Sequence, residues 1–308
     1  MRKSIIVFAS LVVCFSTIAL FSSSMKGEDN PHPPQEIEST ILPQMVKAVD
    51  MNKDFYFAGE RIPTENFDVK ERLDYELTTN AYRHGKNSIN MKRAARYFPI
   101  FEKIFAEYEI PQDLKYISIA ESDLSNATSP AGAKGIWQFM SAVGKQYGLE
   151  INSEVDERYH VEKATVAAAK HLKSYYKKFG SWTLATAAYN GGIGRISSSL
   201  KKQRGGTLYD LNLNQETSRY VFRVIAFKEI LENPKKFGYY LEDDDLYPPM
   251  NDYYIIEVNS TIENLASFAR DNGISYRQLK QYNPWLRKER LTNARRKTYE
   301  IKIPYQKF

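Results

Sequence analysis

The chain has very few cysteines and histidines: one cysteine, Cys14, and four histidines in 308 residues. A single cysteine cannot form an internal disulfide. The histidines lie at scattered positions 32, 84, 160 and 171 without the spacing of a zinc site, so we expect no metal site. The GxxxxGK[ST] phosphate loop is also absent. This argues against a nucleotide-driven machine, and we expect no cofactor.

The length and composition favour a folded protein of one large domain or two ordinary ones. Hydrophobic residues make up 43% of the chain and charged residues 26%. These are values of globular proteins and exclude wholesale disorder. A length of 308 residues exceeds one typical domain of roughly 100–200 residues.

The first 24 residues are typical of a signal peptide or an N-terminal membrane anchor. Arg2 and Lys3 precede an apolar run over residues 5–21, and three small residues, 22–24, follow. The run is slightly shorter than the ~20 residues that a membrane-spanning helix needs, which favours cleavage over anchoring. Lipidation at Cys14 is disfavoured because bulky Val13 precedes it. We expect the mature chain on the periplasmic side of the cell envelope. Loss of Arg2 and Lys3 takes the net charge from +6 to +4, a mild basicity that suits an anionic envelope polymer but also many proteins without such a partner.

The rest of the chain divides by composition into a linker and two parts. Residues 25–44 are proline-rich and polar, which predicts a linker. Residues 45–240 form the next part. Its pattern is mixed up to position 90, with a predicted helical stretch near residues 68–79, and is helical by periodicity almost throughout from position 91. An acidic and proline-rich stretch at 242–249 predicts a domain boundary. Residues 250–308 read as strand–helix–helix–strand, so the fold class is mainly α, with a small α+β module at the end.

One glutamate occupies a position that otherwise faces the core. Pro111 predicts a helix start, after which Leu114, Ile117, Glu121 and Leu124 share one face. Burial penalises a charged carboxylate, so such a group retains its proton to a higher pH. A glutamate protonated near neutral pH meets the requirement for a general acid. An ion-paired structural glutamate is the alternative at this stage.

Three further stretches place polar or aromatic groups beside small residues. A turn-rich loop over 129–135 leads into Trp137-Gln138-Phe139, whose rings are candidates for stacking on sugars or for the core. Ser181 predicts an N-cap for a helix that closes at glycines 191 and 192, with Tyr189 and Asn190 near its end. Glu216 and Tyr220 are four residues apart and share a helical face.

Together these stretches resemble the ordered motifs of family 1 lytic transglycosylases, which have a lysozyme-like helical fold. The resemblance covers roughly residues 68–235. The motifs are Glu121-Ser122, Gly135-Ile136-Trp137-Gln138, Ala188-Tyr189-Asn190-Gly191 and Glu216-Thr217-x-x-Tyr220-Val221. Trp137 departs from the many family members that have methionine there.

The C-terminal part resembles a LysM domain. The matching positions are Tyr254-x-Ile256, Leu265-Ala266, Leu279, Asn283-Pro284 and Ile301-x-Ile303-Pro304. The usual Gly-Asp-Thr turn is replaced by Asn259-Ser260-Thr261, so the module is a degenerate form.

The family resemblance implies a peptidoglycan lytic transglycosylase that cleaves the β-1,4 bond between N-acetylmuramic acid and N-acetylglucosamine. It implies that Glu121 acts first as acid and then as base, forming a 1,6-anhydromuramoyl end. The residues implied to bind or line the substrate are Ser122, Gln138, Phe139, Tyr189, Asn190, Glu216 and Tyr220. The implied partners are peptidoglycan glycan strands, and we expect no nucleic acid partner. We also expect association with the membrane through the N-terminus and a monomeric chain. A goose-type lysozyme-like hydrolase and a noncatalytic envelope glycan-binding protein are the alternatives.

Overall fold

The computed structural model describes residues 47–305, so the predicted signal or anchor segment and the linker lie outside the described residues. A short antiparallel hairpin comes first, with β1 (Phe55–Phe57) paired to β2 (Glu60–Ile62). Eight helices follow: α1 (Phe67–Ala81), α2 (His84–Glu107), α3 (Ile117–Ser122), α4 (Ser141–Gln146), α5 (Val161–Phe179), α6 (Trp182–Gly191), α7 (Ile193–Gln203) and α8 (Gln215–Glu232). None of the helices within residues 47–305 is long and apolar enough to cross a membrane.

The helix ends follow from local capping. Asn66 caps α1 by accepting from the backbone N–H of Asp68, and Asn214 caps α8 in the same manner from Thr217. The Ser181 hydroxyl caps α6 by accepting from Leu184, as predicted, and the helix closes at the predicted glycine pair. The helix predicted near residues 68–79 is confirmed as α1.

The core is centred on α6. All residues from Trp182 to Ala188 are buried, because α5, α7 and α8 contact this helix. Small residues predominate on it, with alanines at 185, 187 and 188 wholly buried. Such residues let neighbouring helices approach closely. The most extensive helix–helix contact in this region joins α1 to α8.

The region from residue 111 to 160 is less helical than the periodicity predicts. The predicted helix after Pro111 is a 3-10 turn, Gln112–Tyr116, followed by only six α-helical residues, Ile117–Ser122. Asp123 and Leu124 have φ angles of 50° and 53°, so Leu124 lies beyond the helix although its side chain is buried. Long-range contacts with α2 hold the C-terminal end of α3. The Asp123 carbonyl accepts from Arg93, and the Asp123 carboxylate accepts from Lys86.

The predicted C-terminal module is confirmed as strand–helix–helix–strand. Its elements are β3 (Tyr253–Val258), α9 (Leu265–Asp271), α10 (Tyr276–Tyr282) and β4 (Tyr299–Pro304). β3 and β4 pair antiparallel, with Tyr253 opposite Pro304 and Val258 opposite Tyr299. Its hydrophobic core also includes Val155 and Tyr159 from the helical part. The two parts therefore share buried surface.

The non-helical segment between α3 and α4 forms a loop, residues 127–140, which we call the site loop. Bridges of the β type connect Lys134 to Thr128 and to Phe139. Gly135 is the tightest point, because a Cβ added there would lie 1.9 Å from the carbonyl oxygen of Arg158. Its φ of +81° also lies in the region that favours glycine.

We expect Gly135→Ala to lower the free energy of unfolding by roughly 2–5 kcal/mol, because the new methyl group meets backbone and the φ angle is unfavourable for alanine. Gly85→Ala is the matched control. Gly85 lies within α2 with nothing within 4 Å of its added Cβ, so that change should raise the unfolding free energy by about 0.5–1 kcal/mol. Urea denaturation measures both, and equal midpoints for the two variants would contradict the close approach at Gly135.

Candidate active site

Glu121 lies in the last turn of α3 and faces α8. The Tyr220 hydroxyl donates a hydrogen bond to its Oε1 over 2.5 Å. Tyr220 is only 2% exposed, so its hydroxyl is held in the core and does not face solvent. The hydrogen bond joins the last turn of α3 to the middle of α8.

The environment of Glu121 raises the pKa of its carboxyl from 4.5 to about 7. Loss of water around the carboxylate is the largest cause, and the negative charge of Glu216 acts in the same direction. The Tyr220 hydrogen bond and the positive charge of Arg223 act in the opposite direction. A carboxyl with a pKa of about 7 is present in both protonation states at neutral pH, which suits an acid that later serves as a base.

Ser122 and Gln138 hold the site loop in position. The Ser122 hydroxyl is bonded to the carbonyl oxygens of Ile136, at 2.8 Å, and Ser118, at 3.1 Å. It is buried, so its observed role is to attach the loop to α3. The Gln138 amide nitrogen donates to Gly135 O at 2.7 Å and to Ala127 O at 3.2 Å. None of the described residues donates a hydrogen bond to the amide oxygen of Gln138.

The aromatic residues near the loop divide into one at the site and two in the core. The Tyr189 hydroxyl donates to the carbonyl oxygen of Trp137 at 2.7 Å, and burial together with the charge of Glu121 raises the pKa of Tyr189. Trp137 is fully buried against Phe101. The ring of Phe139 is only 3% exposed. It therefore offers no open face to a sugar, although the sequence predicted it as a substrate contact.

Asn190 and Glu216 each accept a hydrogen bond from a side chain of α8. The Asn190 side-chain oxygen accepts from Thr217 at 3.0 Å, and Gly191 packs on the same threonine so closely that an added Cβ would lie 2.8 Å from it. Glu216 is exposed and accepts from Arg223 at 3.1 Å. Glu216 thus reaches Glu121 through its electrostatic field only, and no hydrogen bond joins the two among residues 47–305.

Asp123 lies two residues from Glu121 in the sequence, and Glu216 acts on Glu121 through its charge. Both of these carboxylates are paired with cations. Asp123 accepts from Lys86 at 2.9 Å, and Glu216 pairs with Arg223. A pocket of about 390 Å³ lies on the Asp123 side of α3. Arg219 and Arg223 line it together with the buried Glu76, to which both are ion-paired. Glu121 itself has no cation within salt-bridge distance among the described side chains.

His171 is a buried titratable group that the sequence reasoning did not assign. Its ring lies 4.7 Å from that of Tyr147, 4.3 Å from Tyr175 and 5.1 Å from Tyr189. Burial lowers its pKa from 6.5 to about 4, so it is neutral at neutral pH. The periodicity of the sequence could have identified it. His171 falls on the apolar face of α5 with alanines 164, 167 and 168, just as Glu121 falls on the apolar face of its helix.

No group of three or more His, Cys, Asp or Glu side chains in the described part of the chain is placed to hold a metal ion. The arrangement offers one carboxyl group with a raised pKa, two tyrosines beside it and amide groups along the site loop. Such a set can move a proton and hold polar ligand groups.

Comparison with known families places two domains on this framework. Residues 98–210 match the transglycosylase SLT domain, and residues 254–307 match the soluble lytic transglycosylase C-terminal LysM-like domain. The chain therefore contains an SLT domain of the lytic transglycosylases followed by a LysM-like domain. The predicted family resemblance and fold class are confirmed.

Among individual proteins, the chain is similar to membrane-bound lytic murein transglycosylase D of Escherichia coli K12. The two are 33% identical over 225 residues, which is 71% of this chain and 48% of the relative. The chain thus spans about half the length of that relative.

Two solved structures are also similar. An inactive mutant of lytic transglycosylase Slt from Pseudomonas aeruginosa aligns with a TM-score of 0.39 at 22% identity, covering 49% of this chain and 26% of the other. The 70 kDa soluble lytic transglycosylase of Escherichia coli aligns with a TM-score of 0.42 at 20% identity, covering 58% and 31%.

The two shifted groups give opposite pH dependences of stability. The folded chain holds the Glu121 proton to a pH of about 7, so this group's stabilising contribution is complete below pH 4.5 and is lost as the pH rises through 7. His171 has a lowered pKa, so its contribution is present above pH 6.5 and is lost as the pH falls through about 4. In the unmodified chain the two slopes largely cancel.

We expect single substitutions to separate the two slopes. Relative to the unmodified chain, Glu121→Gln should gain on the order of 3 kcal/mol of unfolding free energy between pH 4.5 and 7, at ~1.4 kcal/mol per pKa unit. His171→Gln should lose a similar amount between pH 4 and 6.5. Urea denaturation across this range measures both differences. Curves that stay parallel to the unmodified chain would show that these groups titrate alike in the folded and unfolded states.

We expect Tyr220→Phe to raise the pKa of Glu121 further, because the substitution removes a hydrogen bond that stabilises the charged carboxylate. Tyr189→Phe is the matched control, since the Tyr189 hydroxyl donates to the carbonyl of Trp137 and not to Glu121. A carbon-13 NMR titration of the Glu121 carboxyl measures the shift. A fall in the pKa of Glu121 in Tyr220→Phe would contradict the assigned hydrogen bond.

Proposed function

We propose that this chain is a peptidoglycan lytic transglycosylase in which Glu121 is the acid and the base. The observation that carries the proposal is the half-buried Glu121, with a pKa of about 7 and a hydrogen bond from the buried Tyr220. The SLT and LysM-like domains agree with this activity. The substrate is the β-1,4 bond between N-acetylmuramic acid and N-acetylglucosamine in glycan strands of the cell envelope.

In the first step the protonated Glu121 carboxyl donates its proton to the glycosidic oxygen. The bond between that oxygen and the anomeric carbon of the muramoyl sugar breaks, and the N-acetylglucosamine leaves as an alcohol. The carbonyl oxygen of the substrate's own N-acetyl group supports the anomeric carbon from the other side. Tyr220 stabilises the carboxylate that Glu121 has become, since its hydrogen bond favours the charged form.

In the second step the Glu121 carboxylate removes the proton from the C6 hydroxyl of the muramoyl sugar. The C6 oxygen then bonds to the anomeric carbon and closes the 1,6-anhydro ring. No water and no second carboxylate enter these steps. This is in keeping with Asp123 and Glu216, which are each ion-paired within the chain.

The other predicted residues have roles in binding or in shaping the cleft. The free amide oxygen of Gln138 is an acceptor for a sugar or acetamido N–H, and Tyr189 and Asn190 lie at the end of α6 that faces the site loop. Ser122 and Phe139 act through the position of the loop, because the hydroxyl and the ring are buried. Glu216 acts through its charge on Glu121.

We expect Glu121→Gln to lower turnover of purified sacculi by at least about 10²–10⁴-fold, because the amide cannot exchange a proton. Asp123→Asn is the control, and it should lose less than about tenfold, since Asp123 pairs with Lys86 on the other side of α3. Mass spectrometry of released muropeptides measures turnover and the nature of the sugar ends.

The products distinguish the alternatives. Anhydro ends support the lytic reaction, and reducing ends would show a goose-type hydrolase on the same fold. An equally severe loss in Asp123→Asn would indicate a two-carboxylate mechanism. Undetectable release by the unmodified protein, with retained binding to sacculi, would show a noncatalytic glycan-binding protein.

A further inference from the structure

The LysM-like domain is connected to the SLT domain through residues 150–162, which we call the bridging segment. The backbone N–H of Asp156 donates to the carbonyl oxygen of Trp285 at 2.9 Å, and the N–H of Arg287 donates to the carbonyl oxygen of Glu154 at 2.7 Å. Backbone hydrogen bonds of this kind fix register as well as proximity. The bridging segment is thus paired with the C-terminal domain.

Charged side chains reinforce this pairing. The Glu154 carboxylate accepts from the N–H of Thr292 at 2.7 Å and from Arg290 at 3.0 Å. The Glu150 carboxylate accepts from the Tyr299 hydroxyl at 2.9 Å. The acids lie on the bridging segment and the donors on the C-terminal domain, so the contact is complementary in charge.

The other face of the bridging segment holds the site loop. The Arg158 guanidinium donates to the carbonyl oxygens of Phe139, at 3.1 Å, and Gly132, at 3.2 Å. Its remaining nitrogens bind both oxygens of Asp156, at 2.8 and 2.7 Å. The Arg158 side chain is only 5% exposed. A buried fork of this kind sets both the distance and the angle of the groups it joins.

The site loop in turn reaches Glu121. Its backbone at Gly135 packs on the carbonyl of Arg158, and its carbonyl at Ile136 accepts from Ser122, the neighbour of Glu121. The loop also carries Gln138. A continuous series of contacts therefore runs from the C-terminal domain through Arg158 to the residues beside the carboxyl.

We propose that the LysM-like domain, acting through Arg158, positions the site loop for turnover at Glu121. The domain is then a structural part of the active site and not only a means of holding the enzyme on glycan. This inference rests on the function proposed above. Arg158 and Glu154 are positioning residues, since neither contacts the carboxyl of Glu121.

Two full-length variants test the positioning role. Arg158→Lys keeps the charge and removes the fork, and Glu154→Gln weakens the contact between the domains at a site remote from Glu121. Glu257→Gln is the matched control, because Glu257 is exposed on β3. The substrates are insoluble sacculi and a short soluble glycan fragment, assayed well below the melting temperature of each variant.

Positioning predicts a loss in kcat on both substrates with little change in KM. We expect about tenfold for Arg158→Lys and about threefold for Glu154→Gln, since a displacement of ~1 Å can cost up to ~10²-fold. Glu257→Gln should be unchanged. A rise in KM on sacculi alone, with the soluble fragment cleaved normally, would overturn the proposal in favour of a simple glycan tether.

Amide hydrogen exchange gives a readout that needs no activity. The N–H groups of Lys134, Gly135, Gln138 and Phe139 are hydrogen-bonded within the loop region. Their exchange should be about tenfold faster in Arg158→Lys and Glu154→Gln, with α1 and α8 unchanged. Unaltered loop exchange in both variants would overturn the proposal even if the protein proves to have a different activity. If Arg158→Lys does not fold, Glu154→Gln decides the result alone.

Discussion

The hydrogen bond from Tyr220 to Glu121 is the contact on which the proposed chemistry of the site depends. Burial of Glu121 favours the neutral carboxyl, while the hydroxyl of Tyr220 favours the charged one. The balance places the pKa at about 7, where the same group can give a proton and then accept one. The balance holds because Tyr220 is itself buried in α8 and has no freedom to turn away.

The irregular segments between the helices are held by buried polar groups. Backbone carbonyls that leave the solvent need donors, and the N–H groups of the site loop supply only part of them. Ser122, Arg158 and Tyr189 supply them by bonding to the carbonyls of Ile136, Phe139 and Trp137. These side chains come from three different parts of the chain, so the loop takes its shape from the assembled fold. This is why small changes at Gly135 or Arg158 bear on both stability and geometry.

Charge is distributed so that Glu121 differs from the other acids around it. Asp123, Glu216 and the buried Glu76 each have a cation within reach. Each of these carboxylates is therefore held by a cation within the chain. Glu121 has a neutral hydroxyl as its partner instead. In the proposed reaction, that difference makes Glu121 the carboxyl that exchanges protons.

Much of the architecture was predictable from local patterns, because caps, periodicity and strand alternation depend on near neighbours. The cap at Ser181, the helix at 67–81 and the strand–helix–helix–strand module all follow from such signals. The stripe that singled out Glu121 was also local, although the helix carrying it proved much shorter.

The sequence alone determined which titratable groups lie on apolar faces and the order of the motifs that identify the domains. Only the tertiary structure decided that Phe139 is buried, that His171 lies among tyrosines, and that Arg158 joins the site loop to Asp156 of the bridging segment. The physical reason is that burial and hydrogen bonding depend on residues far apart in the chain. Phe139 and Arg158 are 19 positions apart, and Glu121 and Tyr220 are 99 apart.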